Sequence, residues 1–154
     1  TILQSDSTAT ISTSIVANAA VYRTHDRLAI DLTVANAGPE RAVDAYFGVV
    51  LPSVAGRDLG CPGGDAVAFL TAGFAAVQVT CLSASPQTFQ PLAANVTLPG
   101  QLPSTTVTSF FNFAWTGNEP AGSYTFFLAL TRSGACQEPP CFLRLPMCHC
   151  PSAR

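Results

Sequence analysis

The chain has 154 residues, of which 48% are hydrophobic and only 10% charged, with a formal net charge of −2. That length fits one domain around one core, and a charge fraction far below the roughly 25% of an average soluble domain leaves a mostly uncharged surface. All seven cations are Arg and none cluster, which excludes nucleic acid and anionic membrane surfaces as expected partners, and no run approaches the ~18 apolar residues of a spanning helix.

The dominant period is two. Thr8 to Val16 is a Thr/Ser-rich alternation with few apolar members and reads as a weakly anchored edge strand. Arg27 to Ala35 places Leu28, Ile30, Leu32 and Val34 on one face and closes at Asn36-Ala37-Gly38-Pro39. Val43, Ala45, Phe47, Val49 and Leu51 alternate in the same way up to Pro52. Short runs follow at Ala66 to Leu70, Ala75 to Leu82 and Ala93 to Leu98, separated by Gly- and Pro-containing turns. Thr105 to Trp115 lines up Val107, Phe111, Phe113 and Trp115, and Ser123 to Thr131 lines up Tyr124, Phe126, Leu128 and Leu130. No segment carries a helical pattern. Seven or eight short strands of this kind give an all-β, antiparallel sandwich over residues 1–134.

Two segments carry a family resemblance. Glu119-Pro120-Ala121-Gly122-Ser123-Tyr124-Thr125-Phe126, a turn with Tyr just inside the strand it opens, resembles the start of a late strand in immunoglobulin-like and fibronectin-type modules. Leu28 to Gly38, a strand ending in Asn36-Ala37-Gly38, resembles bacterial cell-surface, adhesion-related immunoglobulin-like domains. The resemblance implies a spacer, an adhesion unit or a subunit of a surface structure, and it stops at Gly134. Residues 135–154, with four Cys and four Pro, read as a separate Cys-rich tail.

Six Cys in a chain of this size imply an oxidising, extracellular compartment. Cys61 and Cys81 flank a Pro62-Gly63-Gly64-Asp65 turn and two short strands, and are expected to pair. Cys136, Cys141, Cys148 and Cys150 form a dense group in the tail and read as disulfides. With His149 they also offer five soft ligands for Zn²⁺, but the gaps of four and one residues depart from the Cys-x2-Cys spacing of structural zinc sites. Asp58 and Asp65 are a candidate Ca²⁺ pair, with too few carboxylates for a full site. No metal or other cofactor is expected, and Cys-x-x-Cys-His is absent. Asn95-Val96-Thr97 is a formal glycosylation sequon.

Catalytic chemistry finds little to stand on. His25 beside Asp26 is the one His-carboxylate adjacency, yet neighbouring side chains point apart and no Gly-x-Ser-x-Gly elbow supplies a nucleophile. The nine carboxylates, Asp6, Asp26, Asp31, Asp44, Asp58, Asp65, Glu40, Glu119 and Glu138, sit mostly at turns and suggest no facing pair. The expectation is a non-enzyme, with a small hydrolase as the weakest alternative.

The last two strands look apolar on both faces, with Phe110 and Phe127 opposite the main rows. A sandwich strand needs only one apolar face, so part of the outer surface is expected to be covered by the tail, a neighbouring domain or another copy. Thr8, Thr10, Ile11, Ile15, Phe110 and Phe127 are therefore the candidate contact residues, the first four on a strand that an unpaired edge of a second copy could accept. The leading expectation is an extracellular structural module that associates with itself or with another protein, as a subunit of a cell-surface assembly or filament. The alternative is a carbohydrate-binding accessory domain using Phe111, Phe113 and Trp115 as a stacking platform, although alternating aromatics on one face are more often core. With neither an initiator Met nor a signal-peptide pattern at Thr1 to Asp6, a processed chain or an excised domain is expected.

Overall fold

Runs of alternating residues become strands wherever Pro or Gly closes them, and a computed structural model shows how they assemble; it describes residues 10–134 and 147–152. The strands are β1 (Ile11–Ala17), β2 (Arg27–Asn36), β3 (Arg41–Val50), β4 (Ala66–Thr71), β5 (Ala76–Cys81), β6 (Ala93–Leu98), β7 (Leu102–Ala114), β8 (Gly122–Arg132) and β9 (Met147–Ser152). Every pairing is antiparallel. One sheet has the order β1-β2-β7; the other runs β5-β4-β3-β8-β9, with β6 beside the first half of β3. Two features depart from expectation. Pro52 ends β3 by withholding an N–H, and the chain turns into a short helix, α1 (Ser53–Asp58), too brief for its period to show in the sequence. The tail does not stay outside the sandwich, because Met147–Ser152 pairs with β8 from Gly122 to Phe127 and supplies a strand to the larger sheet.

The core has two layers. Between the sheets lie Ile15, Leu28 and Ile30 from the smaller sheet against Phe47, Tyr124, Phe126 and Leu128 from the larger, with Tyr22, Leu92 and Trp115. Behind the larger sheet, Tyr46, Val67, Phe69, Phe127 and Ala129 pack with Phe89 and Ala84. The segment between β5 and β6 lies on that outer face, held by Gln78, whose amide donates to the Thr88 carbonyl at 2.7 Å and accepts from the Gln90 N–H at 2.9 Å. The double apolarity of β8 therefore has an intramolecular cause: one face meets the other sheet, and the other is covered by Phe89 and its neighbours.

Two strand-interior aspartates repeat one device. Asp31 on β2 lies where the β2–β7 register slips, and accepts the Ser109 N–H at 2.8 Å. Asp44 on β3 lies where the β3–β6 register slips, and accepts the Asn95 N–H at 2.8 Å and the Gly134 N–H at 2.8 Å. Ser109 and Asn95 both have positive φ, 51° and 53°. In each case a carboxylate captures an amide that the bulge has taken out of the ladder. Asp44 is thus 6% exposed, a buried structural group inside a strand, although most of the nine carboxylates read as turn residues.

Tyr46 is buried, and its phenol is pushed up to about 12, by burial first and by the Asp44 carboxylate second. An unfolded chain ionises tyrosine near 10, so between pH 10 and 12 the unfolded state holds fewer protons than the folded one. Stability therefore falls as pH rises through that window. Urea titrations are expected to show a steeper decline over this range in the wild type than in Tyr46→Phe; parallel declines would assign the alkaline sensitivity elsewhere.

Candidate interaction edge

The residues expected to make contacts divide sharply. Thr8 lies outside the described residues. Thr10 and Ile11 are half-buried, and the Thr10 hydroxyl donates to the Asn36 side-chain oxygen at 3.2 Å. Ile15 is 6% exposed, and β1 pairs with β2 without interruption from Ile11↔Asn36 to Ala17↔Ile30. β1 is an edge strand as expected, but one anchored in its own sheet. Phe127 is 3% exposed beneath Phe69, which corrects its reading as a contact residue. Phe110 also turns inward: the bulge at Ser109 breaks the alternation, so Phe110 and Phe111 both meet Phe47, each with ring centroids 5.3 Å away.

A different edge is open. In the larger sheet Phe47 stands beside Leu70, and Leu70 beside Val77; Val49, Ala68 and Val79 form the parallel row. Directly opposed residues share a face, so both rows lie on the face that turns toward the smaller sheet. Phe47 is fully buried, but Val77 and Val79 are 58% and 51% exposed. The three-stranded sheet ends at β7 and leaves β5 overhanging as an apolar shelf. The β4–β5 turn adds to it, because Ala72, Gly73 and Phe74 all have positive φ. Two non-glycine residues in the left-handed region are uncommon, and the Phe74 ring that this turn carries lies 5.4 Å from Phe110 and 6.1 Å from Phe47. Across the gap, β7 has β2 on one flank and, among the described residues, no strand on the other. Val107, opposite Leu32, is 44% exposed there.

The remaining candidates are placed as follows. Cys61 and Cys81 are bonded, with Cα atoms 5.3 Å apart, tying the turn after α1 to the end of β5. Gly56 in α1 permits this approach, since a Cβ there would sit 1.8 Å from the Gly64 carbonyl oxygen. The bond closes a separation of 20 residues, which in the chain-entropy description contributes about 3 kcal/mol. Reduction, or the Cys61→Ala/Cys81→Ala pair, is expected to lower unfolding stability by about that amount; no change would mean that the shelf is held by packing alone. Cys136 and Cys141 lie outside the described residues, while Cys148, His149 and Cys150 occupy β9 positions opposite Phe126, Thr125 and Tyr124. Asp58 and Asp65 are exposed, and among the described residues no three His, Cys, Asp or Glu side chains converge.

His25 is exposed with φ 73°, and Asp26 is occupied by the Arg23 N–H at 2.7 Å. Glu119 closes its own turn: burial opposes its ionisation, but hydrogen bonds from its own backbone N–H, the Thr116 hydroxyl and the Thr116 and Gly117 amides outweigh it and lower its pKa. Asn95 of the sequon is exposed on β6, its side-chain oxygen accepting from the Ser133 hydroxyl at 3.1 Å. Trp115 is 5% exposed, edge-on to Phe113 and Tyr124, and Phe111 packs on Phe47, whereas Phe113 is 36% exposed, so the row does not form one exposed platform. Sequence reasoning missed the shelf because Val77 and Val79 read as an ordinary strand row; the local signal was an uncharged Val-x-Val strand after a Gly turn.

No family model and no curated protein matches the chain. Among solved structures it is similar to Pseudomonas fluorescens alkylpurine DNA glycosylase AlkC bound to DNA containing an abasic site analog, with TM-score 0.51 and 10% identity over 94% of this chain and 31% of that one. It is also similar to the sporulation control protein Spo0M from Bacillus subtilis, with TM-score 0.45 and 8% identity over 94% and 50%. A Niemann-Pick type C2 protein from Japanese carpenter ant gives TM-score 0.37 and 11% identity over 93% and 91%. The chain thus spans 31% of the glycosylase and 50% of Spo0M. At such identities the first likeness is one of fold alone, and the other two carry no weight.

Proposed function

We propose that this chain is an extracellular, immunoglobulin-like structural module that works by associating with protein, as a self-associating subunit of a surface assembly. The observation that carries the reading is the open side of the sandwich, where an edge of β7 that is unpaired among the described residues and exposed valines stand together without a charged residue on β5 or β7. Exposed edges of that kind template strand addition. The immunoglobulin-like part is supported by Tyr124, whose hydroxyl donates to the Pro120 carbonyl at 2.6 Å, the arrangement of a tyrosine corner. The Cys61–Cys81 bond supports an oxidising compartment. Mass in solution against concentration, with electron microscopy of the concentrated protein, tests the reading: species heavier than the 16.0 kDa chain are expected, and a monomer at every concentration would overturn it.

A further inference from the structure

Asn95 is the one asparagine of the chain followed two residues later by a hydroxyl, in Asn95-Val96-Thr97, with no Pro between them. The fold singles out the same residue. Asn36 is fully buried with its amide spent on the Pro39 and Pro99 carbonyls. Asn18 gives its amide to the Arg27 carbonyl, and Asn112 to the Ser109 carbonyl. Asn95 is exposed; its side-chain oxygen is held by Ser133, and among the described residues its Nδ2 amide has no acceptor.

The β3–β6 bulge is what presents it. Ala93 stands opposite Ala45 and Val96 opposite Val43, so Ala94 and Asn95 together face Asp44. Asp44 accepts the Asn95 N–H at 2.8 Å, and Asn95 adopts φ 53°, a left-handed conformation that Asn tolerates better than most side chains. Ser133 fixes the side chain over this spot, its hydroxyl 3.1 Å from the Asn95 oxygen and 3.3 Å from Asp44. Regular pairing then resumes: Thr97 stands opposite Ala42 and shares its face, the one that also carries Asp44. The amide and the hydroxyl thus stand on the outer face of the larger sheet, both exposed. β6 pairs with β3 on one flank and, among the described residues, with no strand on the other, so a bulky group has room there.

We propose that Asn95 is an N-glycosylation site that takes an oligosaccharide from a lipid-linked glycosyl diphosphate. Nδ2 bonds to the anomeric carbon of the first sugar as the bond from that carbon to the diphosphate oxygen breaks. The diphosphate leaves with the electron pair, and the amide gives one proton to a base of the transferase, which reads the Thr97 hydroxyl. The Ser133 contact is kept, because it uses the side-chain oxygen. The proposal rests on the extracellular reading, since the sequon is used in secreted chains. It is also compatible with the open edge: Val77 and Val79 face the smaller sheet, whereas Asn95 and Thr97 face away from it, so the glycan leaves β5 and β7 uncovered.

Peptide mapping of the chain purified from the cells that produce it, before and after an amidase that removes N-linked glycans in heavy-oxygen water, reads the result. The Asn95 peptide is expected to be missing from the untreated map and to return as aspartate carrying one heavy oxygen. Thr97→Ala, a change at an exposed side chain, is expected to lose the glycan entirely, and Thr97→Ser to keep it. A glycan that persists at Asn95 in Thr97→Ala overturns the assignment. Unmodified Asn95 in secreted protein whose Cys61–Cys81 bond is intact overturns the site while leaving the extracellular reading standing. Unmodified Asn95 in a chain retained in the cytoplasm, with Cys61 and Cys81 as free thiols, overturns both.

Discussion

Phe47→Ala is expected to be the most damaging single core change, costing about 4 kcal/mol, the middle of the range for a buried aromatic truncated to Ala. Phe47 stands on the central strand of the larger sheet, fully buried. Its ring meets Phe110 and Phe111 from the opposite sheet, Phe126 from β8 and Phe74 from the β4–β5 turn. Removing it leaves a void between two hydrogen-bonded sheets that cannot move together without breaking ladders, so collapse around the void is limited. Thermal unfolding of a chain this size should shift by roughly 2–4 °C per kcal/mol. A loss under about 1.5 kcal/mol would show that Phe74 and Phe110 refill the space. Because Phe74 and Phe110 lean on this ring, the same variant should loosen the shelf.

Asn36→Ala comes next, at about 3 kcal/mol, with no apolar contact at stake. Asn36 is fully buried and every part of its amide is used. Its nitrogen donates to the Pro39 and Pro99 carbonyls at 2.9 and 3.0 Å, and its oxygen accepts from the Gly38 N–H at 3.0 Å and the Thr10 hydroxyl at 3.2 Å. One side chain thus ties the β2–β3 turn to the β6–β7 connection and to the approach to β1. Alanine would leave two carbonyls and an N–H unsatisfied, each costing about 1–3 kcal/mol where water cannot reach. Asn36→Asp separates this account from simple loss of volume: it keeps the acceptor and loses both donors, so it should be nearly as damaging. Urea unfolding that finds Asn36→Asp neutral would refute the donor assignment. Gly38 belongs to the same knot, since a Cβ there would lie 2.4 Å from the Thr10 hydroxyl oxygen.

The strands were legible because alternation is a local property: a residue's face depends on its immediate neighbours in the chain. Eight runs appeared near their observed positions, and the Asn36-Ala37-Gly38 and Tyr124 patterns marked two junctions that the structure builds from hydrogen bonds. Alternation misled where a bulge reset it. Asp31 and Asp44 inside apolar strands were the local sign of those resets, because an aspartate is disfavoured in a strand unless it takes a bond from displaced backbone. Phe110 is the clearest casualty: assigned to an outer face by counting, it is turned to the core by Ser109.

What the sequence by itself determined is the class: an all-β, weakly charged chain, with a disulfide between Cys61 and Cys81 and apolar residues on both faces of β8. Only the tertiary structure decided what those faces meet. Phe127 is buried in one cluster with Phe69 and Phe89 of the same chain, Met147–Ser152 returns to β8, and β1 is held fast by β2, so these features serve the fold. The open surface lies instead at β5 and β7, where a broad sheet faces a narrower one. The physical reason is that side-chain direction is set by neighbours in sequence, whereas coverage is set by how many strands each sheet gathers. That number depends on pairings between residues far apart in the chain.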